Sequence, residues 1–508
     1  MAGRGHGLDR RGCWAALATG ALRGQGQCPA AMGRALAPRR LFGLDPRRAG
    51  SSIMAVSAGK RIWGWWFFDW ASQPYNTLLL TFIFGPYFAE VARAHFVAQG
   101  QSAELSQASA QAYWTGAQTV TGLIIAILAP ILGIVADGRG RKMPWIWAFS
   151  VMYVVGAFVL WWTTPEMPVL FWSVFWFSFG FIGMELATNF TNALMPSLAS
   201  HDDMGKISGT GFAFGYLGGV IALFTFLVFF AEDATTGKTL IGLSPVFGLD
   251  PATREGTRSV GPFTAIWYLV FMVPFFLWVK EPLVHGGKRL GESLKALRSA
   301  LQALKRRPSL LAFLLASMFY RDSLNATYAL GGAFASNVMG WTVIQSGTFG
   351  IIAALAATLA SWVGGKLDAS IGPRPVIIAA VTALALTIIV MMNLTPASFF
   401  GAVLPEGSPL PDMVFYGCGV AIGAAGGIAQ AASRTLMVYH TTADDAAGDF
   451  GFYGLSGKAT AFLAPALITV TTTALGSARL GIAPLVLLFA IGLVLLLRVD
   501  PNGERRVK

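Results

Sequence analysis

The stretch Gly133-Ile-Val-Ala-Asp137-Gly-Arg139-Gly140-Arg141-Lys142 stands between two long apolar runs. The second half of the chain carries a similar stretch, Gly364-Gly-Lys366-Leu-Asp368-Ala-Ser-Ile-Gly372-Pro-Arg374. In both stretches glycine allows helices to approach closely, and a carboxylate that can cap a helix end stands before a basic turn. The repeat indicates an internally duplicated membrane protein in which such a latch opens and closes.

The composition also indicates a chain that lies in lipid. Of the 508 residues, 55% are hydrophobic and only 12% are charged, whereas about a quarter of the residues of a soluble protein are charged. The net charge is +12, but residues 1–61 hold eleven Lys or Arg and two acids, which leaves +3 for everything downstream. Because that remainder is concentrated in short loops, it indicates membrane topology and argues against nucleic-acid binding.

Apolar runs long enough to cross a hydrocarbon core of about 30 Å recur along the chain. They predict an all-α membrane protein with twelve transmembrane helices, near 64–92, 113–136, 143–163, 168–194, 207–231, 262–280, 308–336, 342–364, 374–395, 411–438, 451–474 and 480–498. The longest basic segment, 281–307, divides them into six-helix halves at 61–280 and 308–499, with a cytoplasmic tail at 500–508.

Loop charges predict the orientation of these helices. Lys and Arg cluster at residues 60–61, 139–142, 280–307, 366–374 and 498–508, which all fall on one side of the predicted bundle. That side should be cytoplasmic, with both termini inside, and the Gly/Ala/Arg-rich composition favours a bacterial inner membrane over a vacuole. Part of the linker, 290–304, either lies along anionic membrane lipid or is a solvated connection.

Residues 1–60 form a basic N-terminal tail that leaves three hypotheses open. It is a targeting segment, a disordered tail, or an upstream extension before a start at Met54. The three cysteines, Cys13, Cys28 and Cys418, show no disulfide or zinc spacing, and no His cluster accompanies them. We therefore predict no metal and no cofactor.

In a chain of six plus six predicted helices, the Gly-x-x-x-Asp-x-x-Gly-Arg-Lys pattern resembles the signature of major facilitator transporters. Gly138 stands where that family usually has a basic residue, and the second copy has one extra residue after Asp368. The resemblance implies a monomeric secondary carrier that works by alternating access and whose helices 1, 4, 7 and 10 line a central cavity.

A narrower resemblance covers nearly the whole chain, from Trp63 to Pro465. The segments that carry it are Trp65-x-x-x-Asp69-Trp70-Ala71, Thr81-Phe-Ile-Phe-x-Pro86-Tyr-Phe, Asn192-Ala-Leu-Met-Pro196, Gly209-x-Gly-x-Ala-x-Gly215-Tyr216-x-Gly218-Gly219, Gln430-Ala-Ala-Ser433-Arg434 and Phe450-Gly451-Phe452-Tyr453-x-x-Ser456-Gly457-Lys458. They look like the vacuolar amino-acid effluxer branch, also called the unknown-major-facilitator family. The fungal members of that branch release amino acids from the vacuole.

Charged side chains inside predicted helices are the best indicators of function, because each costs several kcal/mol unless it faces a cavity or a partner. They are Asp69, Glu185, Arg321, Asp322, Arg434 and Lys458. Polar neighbours at helical spacing add hydrogen-bonding groups, namely Gln73, Asn76, Asn189, Asn325, Tyr328 and Gln430.

Depth along the helices suggests two sets of roles. Glu185, Arg321, Asp322, Asn189, Asn325, Tyr328 and Gln430 are predicted to bind the solute or a coupling proton. Asp69 is predicted to pair with Arg434 or Lys458 and, together with Asp137, Arg141 and Asp368, to form a gate on the cytoplasmic side. The alternative is that these charged residues form purely structural ion pairs, or that their long side chains extend to the membrane surface.

A cavity that bears both signs of charge suits a zwitterion, so an amino acid or a similar small polar metabolite is the predicted solute, with a proton as the coupling ion. Two other classes stay open, a membrane-embedded enzyme acting on a lipid-linked substrate and a non-transporting sensor. No nucleophile, base or metal cluster supports the enzyme, and no nucleotide-binding motif supports a primary pump.

Overall fold

The structure is a computed structural model that describes residues 56–503, apart from 166–168, 234–235, 282–298, 300–301 and 342. The predictions for residues 1–55, for most of the linker and for residues 504–508 lie outside the described residues. Helices occupy all twelve predicted positions. Ten of them are long and apolar enough to cross a membrane, and the other two, at the first and seventh positions, carry Asp69 and the Arg321–Asp322 pair.

The first half contains α1 (Ala58–Pro74, continued by a π-helical segment, Tyr75–Phe82), α2 (Ala103–Arg139), α3 (Met143–Val159), α4 (Leu170–Asn192), α5 (Met204–Phe229) and α6 (Val260–Phe271, extended by Val273–Trp278). Shorter helices lie at Phe84–Ala98, Leu160–Trp162, Met195–Ser197, His201–Asp203, Val246–Gly248 and Glu255–Arg258.

The second half contains α7 (Pro308–Asn337), α8 (Val343–Ile371), α9 (Pro373–Met392), α10 (Leu410–Tyr439), α11 in two segments (Ala446–Lys458 and Leu463–Leu475) and α12 (Ala483–Leu496), with a short helix at Ala478–Gly481. Three two-residue strands follow α9 as an antiparallel sheet in the order β1 (Leu394–Thr395), β2 (Ser398–Phe399) and β3 (Ala402–Val403).

Two helices depart from the predicted continuous runs. The predicted helix 64–92 is interrupted, because Pro74 lacks an N–H and the π-helical segment that follows ends at Phe82. The side chain of Trp267 donates a 3.3 Å hydrogen bond to the Trp70 carbonyl, the group that a residue at position 74 would otherwise engage. The predicted helix 451–474 is divided at residues 459–462, between the two segments of α11.

The two halves meet along α2 with α11 and along α5 with α8. Glycine makes both contacts possible. A Cβ on Gly133 would lie 2.1 Å from the carbonyl oxygen of Ala447, and one on Gly209 would lie 2.5 Å from the Cα of Gly365. Only a residue without a side chain allows these backbones to come so close.

The end of the bundle that holds the turn 140–142, the turn 440–445 and the start of α7 is called the basic face below. Hydrogen bonds and ion pairs join the two halves at this face and at mid-depth. Toward the sides, large apolar side chains such as Leu123, Leu359 and Val470 are more than 60% exposed, which suits a surface that lipid covers. The structure is therefore closed at the basic face.

Candidate functional site

Among the described residues, the most buried ion pair between the halves joins α1 to α10. Nη1 of Arg434 lies 2.9 Å from Oδ2 of Asp69, and the two side chains are 3% and 13% exposed. Arg434 also donates to the side-chain oxygen of Asn192 at 3.3 Å and to the carbonyl of Ser208 at 2.8 Å. Of the two partners predicted for Asp69, the structure selects Arg434.

Aromatic rings and a glycine complete this pair. The Arg434 guanidinium lies 4.5 Å from the ring centroid of Trp65 and 4.1 Å from that of Phe212, which stabilises a cation shielded from water. A Cβ on Gly211 would lie 2.7 Å from Oδ2 of Asp69. The cluster thus links α1, α4 and α5 of the first half to α10 of the second.

A second ion pair between the halves is partly open to solvent. Nζ of Lys458, at the end of the first segment of α11, lies 3.1 Å from Oε1 of Glu185 on α4. The two side chains are 23% and 25% exposed, and the Lys458 ammonium lies 5.2 Å from the ring centroid of Phe181. Lys458 is therefore the partner of Glu185, and the alternative prediction that it pairs with Asp69 is wrong.

Asp322 and Arg321 both reach α11 from α7. Oδ2 of Asp322, a residue only 2% exposed, accepts a 3.0 Å hydrogen bond from the backbone N–H of Ala464. This N–H lies in the first turn after the break in α11, so the carboxylate caps the second segment. Arg321 donates to the carbonyl of Tyr453 at 3.0 Å and lies over the Tyr453 ring. Among the described residues no carboxylate pairs with Arg321.

A hydroxyl and amide cluster at mid-depth connects α5, α7 and α10. Nε2 of Gln430 donates to the Tyr216 hydroxyl at 2.8 Å, and the Tyr328 hydroxyl lies against Gly426 of α10, where an added Cβ would be 2.0 Å from it. Tyr328 is 40% exposed. Tyr216 was not among the predicted site residues. The sequence did offer a signal, because Tyr216 places a hydroxyl group within a glycine-rich helix.

The remaining predicted polar residues have separate environments. Asn76 on α1 contacts the sulfur of Met184 on α4 at 4.0 Å. Asn189 is buried against Gly454 of α11, and its Nδ2 has no acceptor among the residues the structure describes. Asn325 on α7 is exposed.

At the basic face, Asp137 binds the first turn of α11 rather than Arg141. Its carboxylate accepts hydrogen bonds from the N–H groups of Ala447 at 3.1 Å and Gly448 at 2.6 Å. Its ion-pair partner is Lys142, at 3.2 Å, which also donates to the carbonyl of Ala443. Lys142 rather than Arg141 therefore pairs with Asp137, because the turn exposes Arg141 and buries Lys142.

The second copy of the motif has a different geometry. Asp368 is 1% exposed, and neither of its oxygens has a hydrogen-bond partner within the described part of the chain. Arg374 instead donates to the carbonyls of Leu496 and Leu497 at the end of α12. Asp368 therefore does not form the ion-pair latch that the first copy forms. No cluster of three or more His, Cys, Asp or Glu side chains that could hold a metal ion occurs among the described residues.

The arrangement of two six-helix halves is the major facilitator fold, and solved structures of transporters with that fold superpose on this chain. The proton:xylose symporter XylE superposes with a TM-score of 0.63 at 11% identity, covering 87% of this chain and 94% of that chain. The E. coli fucose:proton symporter FucP gives a TM-score of 0.62 at 15% identity, covering 88% and 100%.

The family is shown by sequence. The family model described as "Vacuole effluxer Atg22 like" matches residues 57–507, so the chain belongs to this family, a branch of the major facilitator superfamily. An uncharacterized MFS-type transporter of Bacillus subtilis (strain 168), YxiO, is 25% identical over 445 residues, which are 85% of this chain and 93% of the relative.

A fungal relative is more distant. Autophagy-related protein 22 of Cryptococcus neoformans var. neoformans serotype D (strain JEC21 / ATCC MYA-565) is 22% identical over 316 residues, 59% of this chain and 51% of the relative. The family resemblance predicted from the motifs is confirmed. The chain is a multi-pass membrane protein and a secondary transporter of the major facilitator type.

Proposed function

We propose that the transporter carries a small zwitterionic solute such as an amino acid, and that Glu185 and Lys458 bind its two charges. The partly exposed ion pair between them supports the proposal. Both side chains are partly exposed, whereas the Asp69–Arg434 pair is buried. The ammonium group of the solute takes the place of Lys458 beside Glu185, and its carboxylate takes the place of Glu185 beside Lys458.

Such an exchange keeps the charge in the site balanced. Each protein charge loses one partner and gains another, so neither is left unpaired in a poorly solvated site. A solute with a single charge leaves one member of the pair without a partner, which disfavours its binding. Arg321 on α7 contacts Tyr453, which lies on the same helix as Lys458. Its guanidinium supplies a further cation for the carboxylate of the solute.

A proton is the proposed coupling ion, with Asp322 as its carrier. Asp322 is buried and accepts a hydrogen bond from a neutral backbone N–H. A carboxylate with a neutral partner can gain and lose a proton without breaking an ion pair. Because Asp322 lies at the break in α11, its protonation also changes the cap on the second segment of that helix.

A thermal-shift screen of the purified transporter tests the solute class, since a ligand that binds the folded state raises its apparent stability. Each amino acid is compared with the amine that lacks its carboxylate and the acid that lacks its ammonium group. We expect stabilisation by zwitterions only, and binding at least about tenfold weaker in Glu185→Gln and in Lys458→Met.

The matched control is Lys206→Met. Lys206 forms an exposed ion pair with Asp203 at 3.1 Å and should not affect binding. Stabilisation confined to sugars or nucleosides, or equal binding of zwitterions by the Glu185→Gln variant, contradicts the proposal.

A further inference from the structure

Asp368 lies where α8 meets the start of α5, at the basic face. A Cβ on Gly205 would be 2.8 Å from the carboxyl carbon of Asp368. The α5 backbone therefore lies directly on the carboxyl group, which leaves Asp368 only 1% exposed. Opening of the basic face separates the halves and gives the carboxyl group access to water.

The cations on the elements around Asp368 are engaged elsewhere. Lys366 of α8 lies over the ring of Trp362 at 3.4 Å, and Lys206 of α5 pairs with Asp203. Arg374 of α9 binds the α12 carbonyls, and Arg434 of α10 pairs with Asp69. In the described part of the chain, no cation pairs with Asp368.

The hydroxyl group of Thr435 on α10 faces the carboxyl group, and it also lies 3.3 Å from the carbonyl oxygen of Ala431. Thr435 is uncharged, so it supplies no counter-charge to an ionised Asp368, and its oxygen can accept the hydrogen of a protonated carboxylic acid. An ionised carboxylate without a cation in this buried position is costly, and a neutral acid is not.

A metal ion fits this position poorly. Na⁺ or Mg²⁺ binding needs several oxygen ligands around the ion. Here the α5 backbone at Gly205 occupies the space beside the carboxyl group.

We infer that Asp368 is a proton-binding site at the gate, occupied while the basic face is closed and emptied when α5 and α8 separate. The closed state then binds one more proton than the open state. Acid consequently favours the closed state and alkali favours the open one, with a change of up to about tenfold in their ratio per pH unit. The inference concerns the gate and does not depend on which solute is carried.

Spin labels in the short helix that precedes α5 and on α8 test it directly. They are attached to Asp202→Cys and Ser370→Cys, two exposed positions at this face, in a chain with its three native cysteines replaced. Distances between the two spin labels are then measured by double electron–electron resonance spectroscopy, without solute, from acidic to alkaline pH. We expect short distances in acid and a growing population of long distances in alkali.

The Asp368→Asn variant should keep the short distance at every pH, since the amide cannot ionise. The control Asp203→Asn changes an exposed carboxylate on the same face and should respond to pH as the parent chain does. The inference is overturned if distances in the parent chain do not depend on pH, or if Asp368→Asn keeps the full dependence. Because the parent chain alone decides the first point, poor folding of the variant leaves the test intact.

Discussion

Asp69 and Arg434 carry charges that the folded protein largely removes from water. Every N–H-bearing nitrogen of the Arg434 guanidinium has an acceptor, and two aromatic rings cover it. The hydrogen bonds of this pair are complete only while α1, α5 and α10 stay in contact. The pair therefore stabilises the closed basic face specifically, and a change at either residue should alter the balance between states as well as stability.

We predict that Asp69→Asn lowers the free energy of unfolding by about 3–5 kcal/mol, because it leaves a buried guanidinium without its counter-charge. Asp203→Asn should cost at most about 1 kcal/mol, since its pair with Lys206 is exposed. Thermal and denaturant unfolding of the purified variants measures both. Equal losses of unfolding free energy in the two variants would show that burial does not increase the contribution of the Asp69–Arg434 pair to stability.

The sequence revealed which residues are charged within the membrane but only in part how they pair. Asp69 and Arg434 were candidates for each other because both lie nearer the same helix ends. Whether Arg141 or Lys142 closes the latch depends on the left-handed Gly140, with φ of 68°, which turns one side chain inward and the other outward. Lys458 similarly meets Glu185 only because α4 and α11 cross at that depth.

At the scale of elements, glycine determines how closely the halves approach. The contact of α2 with α11 brings Gly133 to the backbone of Ala447, at the turn that Asp137 caps. The sequence predicted the helices, and the glycines of the two motif copies predicted a close approach between helices. It could not predict the break in α11, because Ala459–Phe462 contains neither Gly nor Pro and the cap on the second segment comes from α7.

We predict that Gly133→Ala weakens closure of the basic face, because the new Cβ would lie 2.1 Å from the Ala447 carbonyl oxygen. The control is Gly122→Ala on the same helix, where an added Cβ meets nothing within 4 Å. That change should be neutral or stabilising by up to about 1 kcal/mol, since alanine favours helix. Labelling of a cysteine placed at Thr441, which is 3% exposed, should accelerate in Gly133→Ala only. Identical labelling in both variants contradicts this account of the contact.

At the scale of the whole molecule, the chain combines a closed basic face with an ion pair that solvent still reaches. The buried Asp69–Arg434 pair and the Asp137 cap hold the two halves together, while Glu185 and Lys458 lie between them and are partly exposed. Alternating access then requires the basic face to open and the opposite end to close around the bound solute. Family membership supports this cycle, and the proposed zwitterion gives the partly exposed pair its role in it.

Uptake by proteoliposomes tests the central claim most directly. A zwitterion found by thermal shift is supplied outside vesicles that contain the parent chain, Glu185→Gln or Lys206→Met, with and without a proton gradient. We predict accumulation driven by the gradient in the parent chain and in Lys206→Met, and little uptake in Glu185→Gln. Undiminished uptake by Glu185→Gln, or binding without any uptake by the parent chain, would contradict the claim that this ion pair receives a transported solute.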